Sequence, residues 1–84
     1  MTHDNVEDTV KKQILEKFLP EEDPQNLAES TPLVTAGVLD SLATLELVSF
    51  LEETYAIKIK AHEVNVENFN TISDIANFVR SKKG

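Results

Sequence analysis

Gly37-Val38-Leu39-Asp40-Ser41-Leu42, running on through Ala43-Thr44-Leu45-Glu46-Leu47-Val48-Ser49-Phe50-Leu51-Glu52-Glu53-Thr54-Tyr55, reads as a turn, a cap and a helix in succession. Gly37 suits the turn, and Asp40 or Ser41 is the kind of short polar residue that caps a helix start. At about 100° per residue, one arc of the helix from 41 to 55 gathers Leu47, Val48, Phe50, Leu51 and Tyr55, a face for a core. The opposite arc holds Glu46, Ser49, Glu52 and Glu53, with Leu42 and Leu45 set among them. Leucines at this spacing, ringed by carboxylates, are either isolated exposed apolar side chains or the anchor of a docking surface for a basic partner.

Working outward, Val6, Val10, Ile14 and Phe18 form an i, i+4 stripe, predicting a first helix over about 5–19 with Asn5 as N-cap and Pro20 closing it. The stretch from 20 to 40 holds all three prolines and one of the two glycines. Structureless loops of this length are uncommon unless functional or disordered. Leu27, Leu33, Val34, Val38 and Leu39 are the anchors that would pin this one across the molecule. Beyond the central helix, a polar region near 61–68 carries Val64, Val66 and Phe69 and predicts a short helix. Thr71 and Asp74 have capping-box spacing, and Ile72, Ile75, Ala76 and Val79 predict a last helix over 72–82, with Lys82 and Lys83 at its negative end. Ile57-Lys58-Ile59 alternates like a strand, but a lone strand has no sheet to join. The expected class is all-α, a single domain over residues 1–84 with four helices, a long first loop and a short third helix.

The chain of 84 residues has no cysteine, which excludes disulfides and thiolate metal sites, and its two histidines, His3 and His62, lie far apart. No metal site is expected. No run approaches the length of a membrane span and the N-terminus is polar, so no membrane insertion is expected and the location is read as cytoplasmic. The net charge of −7 is unevenly spread: from Phe18 to Ile57 there is no Lys or Arg, and Glu21, Glu22, Asp23, Glu29, Asp40, Glu46, Glu52 and Glu53 all fall there. Such a block repels nucleic acid and steers basic partners toward itself, or simply keeps a solvated face soluble. With no large apolar surface beyond Leu42 and Leu45, a monomer is expected.

Ser41 admits two readings. It is a capping residue, or it carries a covalent phosphate ester, which the unpaired N–H groups and positive dipole of a helix N-terminus would suit. It does not read as a hydrolytic nucleophile. His62 is the one histidine away from the terminus, and no Gly-x-Ser-x-Gly elbow is present. If Ser41 is reactive, another enzyme modifies it. An unmodified helical interaction module using the same acidic face is the competing class.

Asp40-Ser41-Leu42, in register with Glu46-Leu47-Val48, Leu51-Glu52-Glu53, Tyr55 and Ile57/Ile59, resembles the phosphopantetheine-binding region of acyl carrier proteins over nearly the whole chain. The resemblance implies a four-helix bundle of the acyl-carrier type and a non-catalytic role. It implies that Ser41 is joined to 4′-phosphopantetheine by a phosphopantetheinyl transferase using coenzyme A, with Asp40 assisting the transferase or orienting the helix start. Acyl groups would then ride on the arm's thiol as thioesters, an imported thiol in a chain with none of its own. Leu42, Leu45, Glu46 and Ser49 fall on the family's partner-facing surface, with Glu52 and Glu53 extending its acidity toward loading and processing enzymes with basic docking surfaces. Leu47, Val48, Leu51, Tyr55, Ile59, Phe69 and Ile75 read as core, or as lining for an acyl chain. The main expectation is a carrier of fatty-acid or related biosynthesis. The alternative is an aminoacyl, D-alanyl, peptidyl or polyketide carrier, which Val38-Leu39 and the less acidic Lys58 and Lys60-Ala61-His62-Glu63 resemble more closely.

Overall fold

The stripe at Val6, Val10 and Ile14 is fully buried in the computed structural model, which describes residues 6–21, 23, 25 and 27–83. These residues lie on α1, Val6–Lys17, with Glu7 and Asp8 in its first turn and Lys17 in its last, the arrangement that complements a helix dipole. The helix ends before the expected residue 19. Phe18 and Leu19 both donate their N–H to the Ile14 carbonyl (2.9 and 3.1 Å), and the chain leaves the helical path ahead of Pro20, whose ring disfavours helical conformation in the residue before it. The cap expected at Asn5 lies outside the described residues.

α2 spans Ser41–Tyr55, as its pattern predicts, and buries Leu47, Val48 and Leu51. It closes at Ala56, left-handed at φ 55°, whose N–H donates to the Glu52 carbonyl. Ile57 to Lys60 then runs without regular structure, and no strand forms among the described residues. The third region departs from a single short helix over 61–68. It is a 3₁₀ turn, Ala61–Glu63, followed by one turn of helix, α3, Val66–Phe69. Asn65 separates them: its extended backbone breaks the path, and its side chain caps α3 by accepting from Asn68 N–H (2.9 Å). Val66, expected as an anchor, is 47% exposed, whereas Val64 and Phe69 pack inward.

α4, Ile72–Lys83, opens on Thr71, whose hydroxyl accepts from Asp74 N–H (2.9 Å). It buries Ile72, Ile75, Ala76, Phe78 and Val79, and packs chiefly against α1. Phe78 meets Phe69 with ring centroids 5.6 Å apart in a tilted pair, joining α3 to α4. Arg80 donates through both terminal nitrogens to Glu7 (2.8 and 2.5 Å), tying the same two helices at their rim.

The connection after α1 is pinned, as its apolar anchors predict. Leu27, Leu33 and Leu39 are buried, and Val34 and Val38 pack against the same core. Burial of one such leucine contributes about 1.5–3 kcal/mol, enough to offset the ordering of one or two residues of loop backbone. Hydrogen bonds fix what burial holds: Ser73 N–H donates to the Glu29 carbonyl (3.1 Å), and Leu33 N–H donates to the Asn70 carbonyl. The loop is thus built onto the start of α4. Its far end delivers the chain to α2 in a defined position.

Candidate functional site at the start of helix two

Approaching α2, residues 33–39 knot on themselves. Val38 and Leu39 N–H both donate to the Leu33 carbonyl (2.8 and 3.0 Å), and Gly37 N–H donates to that of Val34 (3.1 Å). Gly37 sits at φ +83°, where a side chain would be strained, so the glycine is required by the turn. Leu39, at the end of the knot, is buried. The next two residues are therefore presented from a fixed base.

The choice between Asp40 and Ser41 as cap resolves in favour of Asp40. Its Oδ1 accepts from Ala43 N–H (2.8 Å), and its carbonyl accepts from Thr44 N–H (2.9 Å) and the Thr44 hydroxyl (2.7 Å). Ser41 is consequently the first residue of the helix, exposed, and without a hydrogen-bond partner for its hydroxyl among the described residues. An oxygen at a helix N-terminus, uncommitted and facing solvent, is placed to carry a phosphodiester, since the free N–H groups and dipole of the first turn favour negative charge there.

Beside Ser41 opens a groove of ≈ 420 Å³ between α2 and the third region, lined largely by Val34, Leu39, Leu45, Val64, Val66 and Phe69. Two of its lining residues, Leu45 at 57% and Val66 at 47%, are exposed large apolar side chains, and Leu42, at 66%, is exposed next to Ser41 on α2. Leu42 and Leu45 are where the helix pattern puts them. Val66 was missed, because a lone valine in a polar stretch reads as an anchor until the break at Asn65 turns it outward.

The acidic residues divide. Glu46, Ser49 and Glu53 are exposed and line a second, shallower cleft of ≈ 460 Å³ shared with Gln13 and Lys17 of α1. Lys17 therefore tempers the negative charge on that edge of α2. Glu52, half-buried, has a structural task as well: its Oε2 accepts from Ile59 N–H (2.9 Å), so it holds the chain leaving α2. The two carboxylates with shifted acidity also serve the scaffold. The Arg80 guanidinium holds Glu7 below its ordinary value, and Glu63 is lowered first by the Lys60 N–H and then by the Lys82 ammonium. Among the described residues, no group of His, Cys, Asp and Glu could hold a metal ion, and no helix is long and apolar enough to cross a membrane.

The unpartnered serine on a capped helix, with a groove alongside, is chemically suited to a covalent phosphodiester-linked arm. Residues 12–79 match the family described as "Phosphopantetheine attachment site". The chain belongs to this family. A D-alanyl carrier protein of Streptococcus uberis is 38% identical over 74 residues, 86% of this chain and 92% of that one. A D-alanyl carrier protein of Streptococcus pyogenes serotype M5 is 46% identical over 43 residues, 51% of this chain and 54% of that one. As a phosphopantetheine carrier, the protein is non-catalytic, bears 4′-phosphopantetheine covalently, and works through enzymes that modify and load it. The helical bundle with its long first connection is consistent with the acyl-carrier architecture.

Proposed function

We propose that the protein is an aminoacyl carrier, with D-alanine as the favoured cargo, and that its phosphopantetheine is attached at Ser41. The observation that carries the attachment point is the division of labour at the head of α2: Asp40 takes the capping role and leaves the Ser41 hydroxyl exposed and uncommitted. In the modification Ser41 Oγ loses its proton to a base of the transferase, having no partner of its own, and attacks the pantetheine-side phosphorus of coenzyme A. The ester bond to Ser41 forms as the phosphoanhydride bond breaks and adenosine 3′,5′-bisphosphate leaves. Once bound, the arm supplies a terminal thiol that holds the cargo as a thioester. The protein's own residues then present that arm and select which enzymes meet it.

The cargo reading rests on the D-alanyl carriers that match this chain, which support the aminoacyl alternative over the fatty-acyl expectation. The apolar groove beside Ser41 keeps an acyl cargo as the second reading, since Val34, Leu39, Val64 and Phe69 would take a short hydrocarbon chain. For docking, Leu45 and Val66 offer an apolar anchor on either side of the groove, with exposed Leu42 beside Ser41, and Glu46 adds charge that attracts a basic rim. Both an adenylating enzyme and coenzyme A work in the cytoplasm, which supports the cytoplasmic location, and a monomer leaves this face open.

Loading tests the cargo. The arm-bearing protein is incubated with ATP and either D-alanine with a D-alanine-adenylating ligase or a fatty acid with an acyl-carrier synthetase, and thioesters are read by intact mass. D-alanyl thioester is expected, with little fatty acylation. Fatty acylation with refusal of D-alanine would restore the acyl reading. Leu45→Ala and Glu46→Lys are expected to raise the ligase's apparent KM for the carrier about tenfold, the size of a loss of one interface contact.

A further inference from the structure

Three consecutive backbone N–H groups of the long loop end on one residue 35–37 positions away in the chain. Leu33 N–H donates to the Asn70 carbonyl, while Val34 and Thr35 N–H donate to its side-chain Oδ1 (3.1 and 3.2 Å), joined by the Thr35 hydroxyl (3.4 Å). Asn70 itself closes α3, donating its N–H to the Val66 carbonyl (2.9 Å). The residues it grips are those that anchor the knot before α2, since Leu33 in turn accepts from Val38 and Leu39. Two hydrogen-bond steps lead from the Asn70 side chain through Val34 to Gly37, whose N–H donates to the Val34 carbonyl (3.1 Å) in the turn just before the Asp40 cap, while the Asn70 carbonyl reaches Leu39 through Leu33 on backbone atoms alone. No other single described side chain takes hold of that loop at several points.

We propose that Asn70 is a positioning residue for the modification of Ser41, an inference that rests on Ser41 being the attachment point. A transferase must bring Ser41 Oγ into line with the phosphorus it attacks, and displacement of a reacting atom by about 1 Å costs up to a hundredfold in rate. Ser41 opens α2 directly on the Asp40 cap that follows the knot, whereas the docking residues Leu45 and Glu46 lie a turn further in, beside buried Leu47 and Leu51. Removing the Asn70 side-chain oxygen should therefore loosen the Val34–Gly37 turn of the knot, and with it the placement of Ser41, while leaving Leu45 and Glu46 in place. Because the side chain acts here as an acceptor, aspartate can replace it and alanine cannot.

The test compares wild type, Asn70→Ala, Asn70→Asp and Ser41→Ala as substrates of a broad-specificity phosphopantetheinyl transferase with coenzyme A, at a temperature where circular dichroism shows each to be folded. Amide hydrogen exchange is followed on the same unmodified proteins. For Asn70→Ala a fall of about tenfold in kcat with KM within about twofold is expected, with faster exchange at Val34, Thr35 and Gly37, and Asn70→Asp should recover most of both. If Asn70→Ala does not fold, Asn70→Ser replaces it, its shorter side chain being unable to reach both loop N–H groups. The proposal is overturned if the folded variant is modified at the wild-type kcat, if the loss lies in KM, or if aspartate rescues no better than alanine. If wild type gains no arm, or Ser41→Ala gains it, the attachment reading itself falls and the positioning role with it.

Discussion

At the head of α2 two adjacent polar residues have separate tasks, and their order matters. Asp40 accepts from Ala43 N–H and so relieves Ser41 of any structural duty. The sequence narrowed the cap to these two but could not choose, because both side chains suit the position. The choice depends on the backbone of Asp40, extended at φ −88° and ψ −172°, which the Leu33–Leu39 knot imposes. Asp40→Ala is expected to destabilise the protein by about 1 kcal/mol, read as a lower urea midpoint, whereas Asp40→Asn should lose only part of that. A loss below about 0.3 kcal/mol would show that the cap contributes little. Two other residues were opaque in the sequence for a shared reason. Glu52 faces outward on its helix, and only the return of the chain at Ala56 brings the Ile59 N–H onto its carboxylate. Asn70 lies in no motif, and its role exists only because a loop 35–37 positions earlier folds against it.

Among the elements, those long enough to show a period were legible. α1, α2 and α4 each repeat their apolar residues over about two turns, and the structure buries Val6, Val10 and Ile14, Leu47, Val48 and Leu51, and Ile72, Ile75, Ala76 and Val79, with Phe50 and Tyr55 half-buried against them. The third region was not, since four residues of α3 carry no period and local caps at Asn65 and Glu63 set its shape. Glu63 is central there: it accepts from Lys60 N–H (2.8 Å) and pairs with Lys82 of α4 (2.9 Å). Glu63 and Glu7 both titrate below their ordinary value in the folded protein, for the causes given above. Their contribution to stability is thus present above the unfolded glutamate value of about 4.3 and is lost as pH falls through the lower folded values. Thermal unfolding measured from pH 6 down to about pH 3 should show a falling midpoint, with the slope reduced in Glu7→Gln and Glu63→Gln. An unchanged slope in both variants would assign the acid sensitivity to other carboxylates.

Taken whole, the molecule sets one uncommitted hydroxyl at the rim of an apolar groove, on the edge of a segment from Phe18 to Ile57 that lacks any basic residue. The charge map and the leucines of α2 were readable from composition and helical period. The groove and the exposure of Val66 were not, because both arise where α2 meets a region whose turns depend on tertiary contacts. The central claim is that a carrier scaffold exists to present Ser41, and intact mass spectrometry with peptide mapping tests it most directly. The protein is incubated with coenzyme A and a broad-specificity phosphopantetheinyl transferase, beside Ser41→Ala. The account predicts a gain of one phosphopantetheine arm, mapped to Ser41, and no gain in the variant. An unmodified wild-type protein, or a Ser41→Ala variant that still acquires the arm, would contradict it.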